Sequence, residues 1–375
     1  MPIQQTIRAI AFSLAQKFTN LILQSWSHLT PPPQHTNPQQ PEHIFILRNN
    51  DLGDLLIITP LFAALKHHHP QVKITVGVGH WARPILLENP HVDHILTINA
   101  PWFNKGIPQN HQTLWHRLHY LYQSPEITAL TALKPDVGID IFGSVWGAML
   151  LLRAKIPRRW GVSGYAGGET AMEYAIPYQP DIQVGQSALR FAEYLGATEF
   201  PPCRPQLFLT PEEQLTAQAL WEQIGKGKIK IVVGPGSGLD QRYWPLVQYR
   251  QVLAHLAQQQ DLALVLVGGE GDRHQGNQFN ALPVENLMGE LSLRQTFALL
   301  AGADLVICNS SMLMHAAAAF TIETLVLLGS AFTNPAQHDR QWGYGSHYHS
   351  LGGEQATVAA AIAYIENHLH RLRTD

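Results

Sequence analysis

The sequence is short of charge. Asp, Glu, Lys and Arg make up 14 % of its 375 residues, against roughly 25 % in an ordinary soluble protein. The 25 Lys+Arg and 28 Asp+Glu leave a formal net charge of −3. With no basic excess, binding to nucleic acid through bulk charge is excluded. Only two cysteines occur, Cys203 and Cys308, far apart and in no CxxC pattern. That removes a disulfide framework and a cysteine zinc site, and it favours a reducing compartment. No stretch reaches the ~18 uninterrupted apolar residues of a membrane-spanning helix. What is plentiful is apolar side chain, at 45 %, which with so little charge argues against disorder and for sizeable cores. The length suggests two or three domains at roughly 150 residues each. The 20 histidines make the net charge sensitive to mild acid.

The first thirty residues stand apart. Ile3, Ile7, Ile10, Leu14, Phe18, Leu21 and Leu29 recur at helical spacings, with Trp26 nearby and only Arg8 and Lys17 charged. Gln16 and Lys17 interrupt the apolar run, and no small-x-small site follows, which argues against a cleaved signal peptide. Three readings stand: an interfacial helix lying on an anionic membrane, a helix packed on the protein itself, or an ordinary tail. Residues 30–42 (TPPPQHTNPQQPE) are Pro/Gln-rich and read as a linker.

Alternation of short apolar runs with helical spacing begins at His43. Strands are expected at 44–47, 72–78, 94–98 and 136–141, with a helix over 55–68. Strand, helix, strand at this spacing signals βαβ units and a parallel sheet. Residues 100–135 and 160–205 carry little pattern. A second alternation follows the Pro-rich 200–205, with helices at 211–223 and 246–259 and strands at 228–234, 261–269, 303–309 and 323–329. The expected division is a tail and linker over 1–42, one α/β domain over 43–205 and a second over 206–350. A closing helix over 355–372, in a terminal segment 351–375, is free to pack back on the first domain.

Three loops at the carboxyl ends of expected strands carry chemistry, because ligands of open α/β sheets bind there. Leu52-Gly53-Asp54 offers a carboxylate able to take a proton from an attacking hydroxyl; Asp54 as a helix N-cap is the structural alternative. Gly234-Pro235-Gly236-Ser237-Gly238 with Arg242 can line up N–H groups and a guanidinium on phosphate. It lacks the GK[ST] ending of a P-loop and is not GxGxxG. Asn309-Ser310-Ser311-Met312-Leu313-Met314-His315 joins a strand to an Ala-rich helix, whose N-terminus suits an anion. A Ser N-cap and a satisfied core histidine are the alternatives there. Gly268–Asp272 follows another strand. His67-His68-His69 tempts a metal reading, but consecutive residues point around a helix instead of converging.

Four blocks, in order, resemble glycosyltransferase family 9, the lipopolysaccharide heptosyltransferase family. They are ILRNNDLGDLLIITPLFAALKHHHP, VVGPGSGLDQRYWPLVQY, LVLVGGEGD and NLMGELSLRQTFALLAGADLVICNSSMLMHAAAA, spanning roughly 43–335. The resemblance implies a GT-B fold of α/β class: two Rossmann-like, doubly wound domains facing each other across a cleft. It also implies inverting, metal-independent sugar transfer from a nucleotide-activated donor, with no further cofactor. By position, Asp54 matches the general base for the acceptor hydroxyl. Arg242 matches the basic residue that contacts donor phosphate, and Gly236, Ser237 and Gly238 match the phosphate-side loop. Ser310, Ser311, Met312 and His315 fall in the block that ends in the family's histidine, and Asp272 lies near an acidic residue on the ribose side. The sequence departs at two positions, where Ser310 and Met312 replace the family's Asp and Gly. The implied partners are a nucleotide sugar and a glycan or glycolipid of the cell envelope, reached from the cytoplasm, with peripheral membrane contact through residues 1–30 and no nucleic acid. The departures leave a second reading: a GT-B scaffold that has lost catalysis and binds a glycan or a protein.

Overall fold

The structure, a computed structural model, describes residues 20–28, 40–238 and 240–374. Ile3, Ile7, Ile10, Leu14, Phe18, Leu29 and most of the expected linker lie outside the described residues. The chain forms two compact units, one before Cys203 and one from Cys203 onward, with Leu87–Asn89 and Asp181–Val184 belonging to the second.

The first unit holds six strands: β1 (His43–Leu47), β2 (Lys73–Val78), β3 (His94–Thr97), β4 (Val137–Asp140), β5 (Arg158–Ser163) and β6 (Tyr174–Pro177). Their order is β3-β2-β1-β4-β5-β6, and every neighbour is parallel. The second unit repeats the plan with β7 (Ile229–Gly234), β8 (Leu262–Leu266), β9 (Glu285–Asn286), β10 (Leu305–Asn309), β11 (Glu323–Leu327) and β12 (Tyr348–Leu351). Its order, β12-β11-β10-β7-β8-β9, is the same winding. Each sheet starts at its centre, proceeds to one edge, then crosses back beside its first strand. That Rossmann-type order creates a crevice at the carboxyl ends of β1 and β4, and another at those of β7 and β10. Strands covered on both faces need apolar residues on both, which explains the low charge.

Phe45 and Leu47 of β1 pack with Ile98, Trp102, Leu150 and Leu151 in the first core. Residues 20–28 are helical. Leu23 is fully buried against Ala148 and Leu152, and Ser27 Oγ accepts a hydrogen bond from Arg159 at 3.1 Å. This stretch therefore packs on the protein, while Leu21 and Ile22 face solvent.

Two expectations are corrected. The helix expected over 55–68 is two helices, Leu52–Leu56 and Pro60–His68. Pro60 lacks the N–H an uninterrupted helix needs and sits at the first position of the second helix instead. The closing helix, Val358–Thr374, packs on the C-terminal unit. Its stripe Ala361, Ile365 and Leu369 joins the core of Ile231, Leu305 and Leu325. Glu366 meets His255 at 2.8 Å and Arg373 meets Asp261 at 2.8 Å, fixing its outer side.

Candidate functional site

In the first unit, β1 leads straight into Arg48-Asn49-Asn50-Asp51, after which the short helix Leu52–Leu56 opens. Asp51 holds the N-cap position, so the capping alternative for Asp54 falls; Asp54 lies inside the first turn. Its Oδ1 accepts from Arg48 Nη2 at 3.1 Å, and its Oδ2 accepts from Asn50 Nδ2 at 2.7 Å. Arg48 Nε also donates to the Asp54 carbonyl at 3.1 Å. The guanidinium is nearly enclosed, with its side chain 5 % exposed, whereas the Asp54 side chain keeps 19 %. The carboxylate is thus aimed from two sides and still reaches solvent.

Across the crevice, Asp140 closes β4 in register with Leu47. It is buried and accepts from the backbone N–H groups of Ser144 at 2.8 Å and Phe142 at 3.0 Å. Burial pushes its carboxyl up to about 6, opposed by those N–H groups and by Arg48. Gly147 allows this packing, since a Cβ there would fall 2.0 Å from Asp140 Oδ2. The Phe142 ring lies 5.8 Å from the Arg48 guanidinium and continues into Tyr165 at 5.3 Å and Tyr178 at 4.5 Å beyond it. Burial is the main force raising the Tyr165 phenol above its ordinary value, and the negative charge of Asp54 adds to it. Asn49 Nδ2 and Asn50 Oδ1 are buried and bond to no other protein group, so both keep hydrogen-bonding capacity beside the carboxylate.

In the second unit one side chain organises the loops. Asn309, at the end of β10, donates through Nδ2 to the carbonyls of Pro235 at 2.6 Å and Gly236 at 3.3 Å. Its Oδ1 accepts from Trp244 N at 2.9 Å and the Tyr249 hydroxyl at 3.1 Å. The glycine loop and the segment carrying Arg242 are thereby held to one strand end. Gly236 lies against Asp272: a Cβ there would sit 2.6 Å from Asp272 Oδ2. Asp272 accepts from Gly269 N at 3.0 Å and from the Tyr243 hydroxyl at 3.4 Å. Ser237 is half-buried and Gly238 exposed. Arg242 is half-buried, its guanidinium 5.7 Å from the Phe332 ring.

Ser311 caps the helix Met312–Ala319, and Met312 is half-buried at its first position. Ser310, where the resembled family has Asp, shares a 2.9 Å hydrogen bond with His338 Nε2; His338 Nδ1 in turn lies 3.0 Å from Asp339 Oδ1. The carboxylate missing at position 310 thus has a counterpart two links away. His315 is buried and paired with the Tyr344 hydroxyl. Burial first, then the charges of His338 and Arg242, push its imidazole down to about 3, so it is neutral. Asp272 and the glycine loop come together, as do Arg242 and His315 electrostatically, whereas Asp54 belongs to the other unit. His68 and His69 both turn to the Leu195 carbonyl, at 3.1 and 3.4 Å.

Arg48, Asn50, His338 and Asp140 were not expected from the sequence, and Asn309 was expected only as part of its block and not as the residue that organises the loops. The available signal was position: Arg48 and Asn309 sit at the ends of the strands that flank each crevice.

Comparison with known proteins gives a consistent picture. Residues 127–349, more than half the chain, match the model of glycosyltransferase family 9 (heptosyltransferase). Lipooligosaccharide heptosyltransferase 2 of Haemophilus influenzae is 25 % identical over 307 residues, covering 76 % of this chain and 83 % of that protein. Among solved structures, the E. coli ADP-heptose LPS heptosyltransferase II superposes with a TM-score of 0.71 at 19 % identity, covering 88 % of this chain and 99 % of that one. The E. coli heptosyltransferase WaaC with ADP superposes at 0.66 and 17 %, covering 87 % and 99 %. At such identities the structural likeness is one of fold, the expected GT-B class.

Proposed function

The chain belongs to glycosyltransferase family 9, and on that premise we propose that it transfers a heptose-type sugar from a nucleotide-activated donor to a lipopolysaccharide-type glycolipid. The observation that carries the reading is Asp54, held by Arg48 and Asn50 at the carboxyl end of β1 with its carboxylate still reaching solvent. Asp54 takes the proton of the acceptor hydroxyl as its oxygen attacks the anomeric carbon. The bond to the diphosphate breaks on the opposite face, which inverts the configuration.

The departing diphosphate is an anion that needs no metal where aimed donors replace it. Arg242, the N–H groups of the 236–238 loop and the N-terminus of the helix Met312–Ala319 take that part. Asp272, against Gly236, is the candidate for the ribose. ADP is the favoured nucleotide, because a relative of the same fold, the E. coli heptosyltransferase WaaC, was solved with ADP. A cytoplasmic location fits such a donor, with peripheral contact at the inner membrane face through residues 1–30, of which Leu21 and Ile22 are exposed.

The test is an assay of purified protein with ADP-, UDP- and GDP-linked sugars and a lipopolysaccharide-core acceptor, read as released nucleotide and acceptor mass. ADP-heptose is expected to be consumed, and ADP to raise the melting temperature, since it binds only the folded state. If no nucleotide shifts melting and none is released, the reading gives way to a non-catalytic scaffold, for which Ser310 and Met312 are the argument.

A further inference from the structure

Outside both half-sites, the helix Leu114–Gln123 (LWHRLHYLYQ) turns three large apolar side chains to water. Trp115 is 71 % exposed, Leu114 64 % and Tyr122 54 %. Only Leu121 of this helix is fully buried. Thr113 caps the helix, and Tyr120 on its inner side bonds Glu126, so the element is anchored while its outer face has no apolar partner among the described residues. Exposed Trp is costly in water, and an exposed Trp, Leu and Tyr on one short helix call for an occupant.

Charge says which one. From 94 to 125 the chain contains no Asp or Glu, while Lys105 and Arg117 lie within it. Lys105 pairs with Asp51, and Glu126, the first acid beyond the gap, is turned to Asn99 N at 2.7 Å and to Tyr120. Arg117 lies over the Trp146 ring and Arg153 over Tyr122 itself, 5.6 Å from its centroid. An apolar face with Trp and Tyr, flanked by arginines and free of acids, matches the interfacial region of an anionic bilayer.

We propose that the outer face of the helix Leu114–Gln123, through Leu114, Trp115 and Tyr122, docks the protein on an anionic lipid surface. This deepens the reading of a glycolipid acceptor and rests on it for its purpose: an acceptor anchored in a membrane is met by a transferase seated on the same membrane.

The experiment is sedimentation of the full chain with phosphatidylglycerol-rich vesicles and with pure phosphatidylcholine vesicles, at low and high salt. Wild type is expected to pellet with the anionic vesicles at low salt, and W115E and Y122E to lose about tenfold in partitioning, since each places a charge in the interface. Both side chains are exposed, so unchanged melting temperatures are expected and confirm folding. The proposal is overturned if these variants pellet like wild type, which would transfer the contact to residues 1–30. It is equally overturned if light scattering finds a dimer that W115E dissociates. A deacylated, water-soluble core acceptor separates the two claims. Transfer to it survives in W115E if only docking is lost, whereas its absence in wild type counts against the proposed function and not against docking.

Discussion

Arg48 and Asp54 are joined twice, by a guanidinium–carboxylate bond of 3.1 Å and by a bond of 3.1 Å from Arg48 Nε to the Asp54 carbonyl. The first grips the carboxylate proposed as the base and the second the turn that carries it. D54N keeps the shape and an acceptor oxygen but loses the carboxylate proposed as the base. It is expected to lower kcat by about 10²- to 10⁴-fold while calorimetric ADP affinity stays unchanged. R48Q leaves the carboxylate in place but loosens it, and it empties a nearly buried charge position. It is expected to cost about 2–4 kcal/mol in urea unfolding and to lower kcat without changing donor KM. A D54N protein with full kcat would remove Asp54 from the mechanism.

The contact between Gly236 and Asp272 gives the second prediction. A methyl group at 236 would sit 2.6 Å from a carboxylate oxygen, closer than real atoms approach. Asp272 must then swing away and abandon the Gly269 N–H. G236A is expected to weaken ADP binding about tenfold, or ~1.4 kcal/mol by calorimetry, through both the loop and Asp272, the acid proposed for the ribose. Wild-type affinity in G236A would show that the nucleotide does not use this loop.

The strands and loops that build both crevices were legible, because β1, β2, β7, β8, β10 and β11 are short apolar runs with Gly or Asn after them. The segments at β5 and β6 were not. Arg158 and Arg159 look like surface residues, yet both are buried. Arg158 is paired with Glu173 at 2.7 Å, and Arg159 is capped by the carbonyls of Ala171, Ile156 and Pro157. Hydropathy cannot see a charge neutralised by partners distant in the chain. The helix Leu114–Gln123 was hidden for another reason: Leu114, Trp115 and Tyr122 face outward while Leu118, Tyr120 and Leu121 pack on the first core, so apolar residues lie on both sides and no single stripe marks the buried one. Among site residues, Asp54 and Arg242 were marked by their loops at strand ends and then by the family pattern, whereas Arg48 and Asn309 matter for bonds made across loops, which no local spacing encodes.

His315 predicts a pH dependence of stability. Its folded pKa of about 3 lies below the ordinary 6.5, so the unfolded chain binds the extra proton between those values. The stability it contributes is complete above pH 6.5 and is lost as pH falls towards 3, about 2 kcal/mol by pH 5. Asp140 acts in the opposite sense, because its pKa is raised from 3.8 to about 6. Its contribution is lost as pH rises through that window, partly masking the histidine. Replacing His315 by Gln, which can still bond Tyr344, is therefore expected to flatten or reverse the slope of unfolding free energy between pH 6.5 and 4.5. An unchanged slope in H315Q would mean that acid sensitivity arises elsewhere among the histidines.

Met312 decides how much donor binding the second unit retains. It stands at the first position of the helix Met312–Ala319, where the resembled family has Gly and where first-turn N–H groups suit an anion, that of Leu313 being shared with the Ser311 hydroxyl at 3.4 Å. If the donor diphosphate docks at this terminus, as proposed, the half-buried thioether stands in its way. M312G removes that side chain and is expected to tighten ADP binding about tenfold by calorimetry, or ~1.4 kcal/mol. It also frees the backbone, at up to about 1 kcal/mol of stability, read as a lower melting temperature without ligand. The two effects have opposite signs, so affinity and stability measured on one sample separate them. Tighter binding with lower melting places Met312 in the donor path of an enzyme that tolerates it. Lower melting with unchanged affinity places the side chain outside that path, and the departure from the family then bears on helix stability alone.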